Sequence, residues 1–249
     1  MTESIGQEFM RRTCYAELSQ SPQEIGIIPQ PPLQLPAPVG IELIDLPLPA
    51  KVIVPAMDLR TAIEGRRTLR KYADTALSLD ELSYLLWVSQ GVKRISSRPS
   101  TARNVPSAGA RHAFETYLLV NRVTGLQPGL YRYLAIENQL ALVSSDPKMN
   151  PDITAACRDQ TQVATSAVTF IWVAVVERMF WRYVERGYRY LLLDAGHVCQ
   201  NLALGAEQVG CGICPIAAFN DDQLNQVFGL DGKALFVIYL ASLGKKIKI

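Results

Sequence analysis

The chain has 249 residues, of which 49% are apolar and 19% are charged, and its formal net charge is only +2. The apolar fraction is enough for the core of one domain or two small ones, and it excludes an intrinsically disordered chain. The small net charge gives no reason to expect nucleic-acid binding. The longest apolar run, 166–176, is too short to cross a bilayer as a helix, and the start of the chain does not resemble a secretory signal. Five cysteines, an odd number, suggest a reducing compartment. We therefore expect a cytoplasmic protein without a membrane partner.

Residues 1–57 are expected to form a proline-rich, extended N-terminal arm, ahead of a folded domain over 58–249. Nine of the fifteen prolines lie within 21–55. Proline fixes φ and lacks a backbone donor, which disfavours a helix or a central strand there. Apolar residues alternate with the prolines, so the arm should lie against a surface of its own chain or of a partner.

Beyond residue 57 the pattern predicts mixed helices and strands. Asp58 can cap a short helix ending at Gly65, and Ser78 with Glu81 forms a capping box for a helix over 78–91. The remaining predicted elements are a strand over 113–120, a hairpin over 129–145, a helix over 149–157, a strand over 166–176, a helix over 188–210, a short helix capped by Asn220 or Asp221, and a strand over 234–244. Regular βαβ alternation is absent, so the predicted class is α+β.

The helix over 188–210 is apolar on most sides, which predicts burial. Small residues recur along it at steps of three and four, and this spacing predicts one face that another helix can approach closely. These residues are Gly196, Cys199, Ala203, Ala206 and Gly210.

Several common functional motifs are excluded. The sequence contains neither a Rossmann fingerprint nor a P-loop, and Cys211 and Cys214 form a lone C-x-x-C without further ligands, so we expect no metal site. Ser107, Asp194 and His197 follow the chain order of α/β-hydrolases. However, the glycine required two positions before the serine is missing, and Asp194 and His197 would lie one turn apart on one helix.

The stretch "EGRRTLRKYAD" (64–74) concentrates positive charge directly after Gly65. If the chain is extended there, Arg66, Thr68 and Arg70 point the same way, and two guanidinium groups beside a hydroxyl suit a phosphate monoester. The alternative is a solvated turn neutralised by Glu64 and Asp74.

Three further segments suggest a ligand site. "NVPSAGA" (104–110) is a small-residue loop before a strand, where bare backbone can approach a flat ligand. "GCGICPIAAFNDDQL" (210–224) follows the long helix, and the lysines Lys245, Lys246 and Lys248 could complete a cationic pocket.

Taken together, these segments resemble the nitroreductase family of FMN-dependent oxidoreductases. "RRTLRKY", "VPSAG" and "GCGICPIAAF" are similar to that family's phosphate, loop and flavin-side motifs. "LSYLLWVSQGVKR", "PGLYRYLAIENQL" and "RYVERGYRYLLLDAGHVCQNLALGAE" resemble its SagB/ThcOx-type dehydrogenase branch. The resemblance covers roughly residues 58–244.

The resemblance implies an FMN-binding fold with a central, mainly antiparallel sheet, flanking helices, and an intertwined homodimer with FMN at the subunit interface. It also implies that hydride passes through flavin N5 in a ping-pong cycle, with NAD(P)H as donor and a small flat nitroaromatic, quinone or enone as acceptor. The cofactor-binding residues that it implies are Arg66, Arg67, Thr68, Arg70, Pro106, Ser107, Ala108, Gly109, Pro215, Ile216, Ala217, Ala218, Lys245 and Lys246. Ala217 and Ala218 would present backbone N–H groups near N5.

Arg182 and Tyr183 are the candidate catalytic residues. Azoline dehydrogenases of the SagB/ThcOx-type branch, which oxidise thiazolines and oxazolines in ribosomal peptides, carry Lys-Tyr at this position. Arginine is a poor general base, although it could steer an anionic substrate, and Tyr183 could donate a proton. Arg182 could instead be a surface residue paired with Glu185. Azoline oxidation and a non-catalytic flavin-binding protein remain the alternatives to a reductase.

Overall fold

The structure is a computed structural model, and it describes residues 2–26, 28–97 and 99–247. Its helices are α1 (Ile5–Arg12), α2 (Pro22–Ile25), α3 (Leu59–Gly65), α4 (Leu79–Gln90), α5 (Met149–Ala156), α6 (Thr161–Thr165), α7 (Val176–Tyr183), α8 (Gly187–Gln208) and α9 (Asp221–Val227). Its strands are β1 (Leu43–Asp45), β2 (Val92–Ile95), β3 (Thr101–Arg103), β4 (Phe114–Val120), β5 (Gly129–Leu134), β6 (Gln139–Ser144), β7 (Val168–Val175), β8 (Cys211–Ile216) and β9 (Leu235–Lys245). Across these ranges, no helix is both long and apolar enough to span a membrane.

Seven strands form one sheet in the order β1-β6-β5-β4-β7-β9-β8, and every neighbouring pair is antiparallel. Strand β7 is buried along its whole length, so side chains from both of its faces enter a core. Phe170 and Trp172 pack with residues of α4 and α8, whereas Ile171 and Val173 pack with residues of α5 and α9. The predicted α+β class, with helices on both faces of an antiparallel sheet, is confirmed.

The predicted helix starts are confirmed in detail. Asp58 accepts a hydrogen bond from the Thr61 backbone N at 3.0 Å, and Ser78 and Glu81 form the expected reciprocal capping box. The predicted strands and the 129–145 hairpin also form. Elements that we did not predict from the sequence are α1, α2, α6, α7, β1, the β2–β3 hairpin and β8.

The N-terminal segment lies against its own chain. The Trp181 side chain donates to the Ile28 carbonyl at 2.9 Å, and the backbone N of Leu35 donates to Glu115 at 2.9 Å. The expectation that 21–55 avoids helix is wrong for Pro22–Ile25, which forms one helical turn. Pro22 occupies the first position of that turn, where no backbone donor is needed. Strand β1, also within this segment, is an edge strand, as proline-rich sequence allows.

The small-residue face of α8 contributes to the core of its own chain. Cys199 contacts Tyr239 of β9 and, with Ala203 and Ala206, is buried in the core between α8 and the sheet. The close helix approach occurs instead at Gly205, where an added Cβ would lie 2.7 Å from Val88 Cγ2 of α4. The prediction is therefore wrong at Cys199, which the sheet covers, whereas Gly196 is exposed and has no neighbour within 4 Å of its Cβ position among the described residues.

The long helix is not buried on all sides either. Near the N-terminal end of α8, Leu192 and Leu193 are 61% and 59% exposed. The predicted burial of this helix is therefore wrong at these two positions of the single chain.

Candidate active site

The arginine-rich segment is fixed to the outer edge of the sheet. Thr68 forms a parallel bridge with Ile213 of the edge strand β8, and the Leu69 backbone N donates to the Ile213 carbonyl at 2.9 Å. The extended conformation predicted for this segment lets its backbone continue the sheet at this edge.

Two glycines make room for this docking. Gly212 of β8 and Gly244 of β9 are direct cross-strand partners. A Cβ on Gly212 would lie 2.3 Å from Leu69 Cδ1, and one on Gly244 would lie 2.6 Å from Tyr72 Cγ. The bare backbone of the pair therefore lets Leu69 and Tyr72 lie against the sheet, and this fixes the position of Arg70 between them.

A cationic pocket of about 640 Å³ lies beside this segment. It is lined by Gly65, Arg67, Thr68, Leu69, Arg70, Lys71, Lys246 and Ile247. Arg66, which we predicted to share the site, is not among these residues. The pocket thus combines three of the predicted phosphate-binding residues with one of the predicted lysines. We name it the cationic pocket.

The charge of the cationic pocket is mostly unneutralised. Glu64 pairs with Arg60 at 2.8 Å, and no ion pair of Asp74 or of Arg67 or Arg70 occurs in the described ranges. The solvated turn neutralised by Glu64 and Asp74 is therefore not what the structure contains. This concentration of positive charge favours an anionic ligand.

The C-terminal lysines differ in their surroundings. Lys246 lines the cationic pocket and pairs with the buried carboxylate of Glu207. Lys245 pairs with Glu81 and donates to the Val209 carbonyl at 2.9 Å, so its charge is already matched. Lys248 lies outside the described residues.

A second cluster surrounds the loop 106–109. Gly109 has φ +57°, and a Cβ there would lie 2.4 Å from the Tyr183 hydroxyl oxygen and 3.0 Å from Arg182 Nε. The structure therefore brings the candidate catalytic pair directly against the predicted flavin loop, and only glycine leaves enough space. Pro106 is exposed at the start of this loop.

The loop is held from behind by Asp194 of α8. The Ala108 backbone N donates to Asp194 Oδ1 at 3.3 Å, and Ser107 Oγ accepts from the His112 backbone N at 2.9 Å. Burial raises the pKa of Asp194, while hydrogen bonds from Ser107 and Ala108 oppose that shift. The carboxylate of Asp194 thus has a structural role in positioning the loop, and a hydrolase triad is not needed to account for this residue.

The candidate catalytic pair lies at the C-terminal end of α7. Tyr183 stacks edge-on against Tyr190 with ring centroids 4.8 Å apart. The next residue, Val184, has φ +40°, a strained conformation for a β-branched residue. No ion pair joins Arg182 to Glu185 within the described ranges, so the surface-pair explanation of Arg182 has no support here.

The segment 215–218 continues from the edge strand. Pro215 and Ile216 are the last residues of β8, and Ile216 is buried in the core. Ala217 and Ala218 are exposed, and no hydrogen bond from either backbone N–H is found among the described residues. Both donors are therefore open to a ligand, as the resemblance implies.

One chain does not bring all these residues together. Asp194 of α8 contacts the loop 106–109 through the backbone N of Ala108. Glu207, thirteen residues later on the same helix, pairs with Lys246 of the cationic pocket. At 1.5 Å per residue, the two sites lie about 20 Å apart along the helix axis. Arg111 Nε also donates to the Gly109 carbonyl at 3.1 Å. Asp194, Arg111 and Lys71 were not predicted as neighbours of these clusters, because only the fold brings them close.

The family model described as "Nitroreductase family" matches residues 63–245. MJ1384 of Methanocaldococcus jannaschii, whose name assigns it to the nitroreductases, is 30% identical over 76% of this chain and 92% of its own. The trifolitoxin-processing protein TfxB of Rhizobium leguminosarum bv. trifolii is 27% identical over 62% of this chain and 44% of its own. The microcin B17-processing protein McbC of Escherichia coli is 24% identical over 58% and 55%, respectively. The chain therefore spans about half the length of these two processing proteins.

Solved structures agree with the fold. A nitroreductase-type structure from Anabaena variabilis has a TM-score of 0.68 and 27% identity, covering 86% of this chain and 45% of that one. A chain of the Escherichia coli microcin synthetase McbBCD complex, solved with truncated pro-MccB17 bound, has a TM-score of 0.61 and 19% identity, covering 98% and 92%.

Proposed function

The chain belongs to the nitroreductase family, near its SagB-type branch, and within that family we propose that it is an FMN-dependent oxidoreductase that reduces a small flat acceptor with NAD(P)H in a ping-pong cycle. The observation that carries this proposal is the unneutralised cationic pocket at the edge of the sheet. We also propose a cytoplasmic location, which the exposed free thiol of Cys14 favours.

The cationic pocket fits the phosphate of FMN. Arg67 and Arg70 can each donate paired hydrogen bonds to phosphate oxygens, and the Thr68 hydroxyl adds a neutral donor. Lys246 adds a further positive charge to the pocket, although its ammonium group also pairs with Glu207 and would be shared between Glu207 and the phosphate. Gly65 leaves the wall of the pocket free of a side chain, so backbone can lie close to the ligand.

The loop 106–109 fits the ring end of the cofactor. It is exposed at Pro106 and fixed by Asp194, so it offers a flat, rigid edge next to the Tyr183 hydroxyl. When bound, FMN would accept a hydride from NAD(P)H at N5 and deliver it to the acceptor. The N–H groups of Ala217 and Ala218 would donate toward that nitrogen, and Tyr183 or water would supply the acceptor's proton.

A homodimer would unite the two clusters. The cationic pocket and the loop 106–109 lie about 20 Å apart along α8 in one chain. If two copies pair through antiparallel α8 helices, the pocket of one lies beside the loop of the other. The exposed Leu192 and Leu193 give α8 an apolar face for such pairing.

Azoline oxidation is the second candidate function. The similarity to two peptide-toxin processing proteins, TfxB and McbC, favours it, as does the position of Tyr183 beside the loop. Arg182 argues against it, because a guanidinium does not accept a proton at ordinary pH. In that reaction the peptide substrate, rather than NAD(P)H, would supply the electrons.

Visible absorption spectra of the purified protein, recorded without oxygen before and after NADPH or NADH is added, test the proposal. A flavin band that disappears on addition and returns with a nitroaromatic or quinone would support the reductase. A band that persists with nicotinamide but is lost with an azoline peptide would favour the second function. A flavin that responds to neither would identify a non-catalytic flavin-binding protein, and failure to bind added FMN would refute all three.

A further inference from the structure

Two arginines flank Gly109 without a carboxylate partner. Arg182 Nε lies 3.0 Å from where a Cβ of Gly109 would stand, and Arg111 Nε donates to the Gly109 carbonyl at 3.1 Å. Among the ion pairs of the described residues, none involves either guanidinium group. Arg111 is buried, so its charge is screened less by water than an exposed charge would be.

The other contacts of these two side chains are with aromatic rings. Arg182 Cζ lies 5.6 Å from the Tyr183 ring centroid, and Arg111 Cζ lies 5.4 Å from that of Trp181. Burial lowers the pKa of Arg111, and the nearby charge of Arg182 lowers it further. Two like charges are therefore held close together around one loop residue, an arrangement that an anion would stabilise.

A cavity of about 290 Å³ opens at Arg182 and Tyr183. Its other walls come from the N-terminal segment (Tyr15, Leu18, Ser19, Gln20, Ser21 and Glu24) and from Val184. This volume is close to the lower limit of about 300 Å³ for small-molecule pockets, which suits a single-ring compound better than a dinucleotide.

The N-terminal wall of this cavity is firmly attached. Arg186 donates to the Thr13 carbonyl at 2.9 Å, and Arg189 donates to the Thr13 hydroxyl at 2.6 Å. The Tyr15 and Tyr190 hydroxyls are 3.0 Å apart. Arg186 is thus bonded to the N-terminal segment and is not among the residues that line the cavity.

One carboxylate lines the cavity, and it is also engaged. Glu24 accepts hydrogen bonds from the Ser21 backbone N at 2.8 Å and from the Ser21 hydroxyl at 3.1 Å. These bonds lower the pKa of Glu24 and hold its charge at the cap of α2. Arg182 is therefore left as the free cation of the cavity among the described residues.

We propose that Arg182 binds the carboxylate of an anionic, single-ring electron acceptor in this cavity, with Arg111 adding positive potential behind Gly109. The inference rests on the proposed oxidoreductase function and names the substrate class of that site. Arg182 orients the acceptor over the loop 106–109 and leaves the Tyr183 hydroxyl free to donate a proton. Because the cavity is small, the anionic group belongs to the acceptor rather than to the pyrophosphate of the nicotinamide donor.

Matched acceptors test this assignment on the holoenzyme. 4-Nitrobenzoate and 4-nitrobenzamide carry the same reducible group and differ in charge. We expect kcat/KM to favour the anion by about ten-fold in the wild type and this preference to vanish in Arg182→Gln. Arg94→Gln, which removes an exposed charge on β2, is the control and should keep the preference.

A binding measurement separates this inference from the function on which it rests. By isothermal titration of the holoenzyme, benzoate should bind about ten-fold more tightly than benzamide, and Arg182→Gln should abolish the difference without changing FMN content. Equal binding of benzoate and benzamide by a protein that holds FMN and reduces quinones would overturn the inference while the function stands. A rise in KM for NADPH alone in Arg182→Gln would also overturn it, because the guanidinium would then serve the donor. A protein that fails to bind FMN would contradict the proposed function instead.

Discussion

The hydroxyl oxygen of Tyr183 lies 2.4 Å from the point where a β-carbon of Gly109 would stand. Gly109→Ala must therefore displace Tyr183 or move the loop. Misplacement of a catalytic group by about 1 Å can cost about 100-fold in rate, so we expect kcat/KM to fall by that order. Steady-state kinetics with FMN content measured in parallel will show it.

The matched control is Gly125→Ala. Gly125 also has positive φ, at +86°, but no atom of the described residues lies within 4 Å of its Cβ position. In both variants alanine must adopt a positive φ, which costs about 1–2 kcal/mol. Only Gly109→Ala also places a Cβ against the Tyr183 hydroxyl. Equal activity of the two variants would show that the contact with Tyr183 is unimportant.

Arg70→Gln is expected to weaken FMN binding about ten-fold or more, because a charge-assisted hydrogen bond to phosphate is lost. Binding of riboflavin, which lacks the phosphate, should change little. Fluorescence titration of the apoprotein with both ligands measures the ratio. Arg60→Gln is the control, since Arg60 pairs with Glu64 outside the pocket; an equal effect on riboflavin would refute the phosphate assignment.

His112 should make folding stability depend on pH. Burial, and then the charge of Arg103, lower its pKa to about 3. Between that value and the ordinary pKa of about 6.5, the unfolded chain binds a proton that the native chain excludes, so stability falls as the pH falls through this window. The maximum slope is about 1.4 kcal/mol per pH unit.

Urea unfolding at several pH values, compared with His112→Asn, isolates this contribution. Asparagine suits the positive φ of +43° at this position and does not titrate. We expect a flatter pH dependence in His112→Asn and an unchanged one in the exposed control His197→Asn. Identical profiles for the wild type and His112→Asn would show that His112 is not buried in neutral form.

The buried ion pair of Arg178 and Glu115 should anchor the N-terminal segment. Their side chains are 2% and 3% exposed, Arg178 also donates to the Pro32 carbonyl, and Glu115 accepts from the Leu35 backbone. Glu115→Gln leaves a buried charge uncompensated, and we expect a loss of about 3 kcal/mol in the free energy of unfolding. Faster hydrogen exchange at residues 30–36 should accompany it. The exposed pair Arg12–Glu8 is the control, where Glu8→Gln should cost less than about 1 kcal/mol.

Local signals in the sequence predicted most of the fold. Capping residues such as Asp58 and Ser78 act within one helical turn, and the two strands of the 129–145 hairpin are adjacent in the sequence. Strand β8 was missed because "GCGICPI" has few large apolar residues. Its role depends on the partner glycine Gly244, which is more than thirty positions away.

The site was predictable in its parts but not in its arrangement. The spacing of Arg66, Thr68 and Arg70 predicted a phosphate site, but the pocket contains Arg67 in place of Arg66, because its lining depends on how the segment docks onto β8. The stripe of small residues along α8 was predicted to contact another helix, but Cys199 in this stripe contacts Tyr239 of β9 instead. Periodicity identifies a face and does not specify what covers it.

In the proposed homodimer, the cationic pocket of one chain and the loop 106–109 of the other form one flavin site. Arg70→Gln and Gly109→Val each damage one half, so each homodimer should retain little FMN. When the two variants are co-expressed with different tags and the mixed dimers are isolated, one of the two sites contains no substitution. We predict that the mixed dimers recover about half of the wild-type FMN content with wild-type affinity. Mixed dimers as empty as the parents, or a wild-type protein that binds FMN as a monomer, would contradict the account.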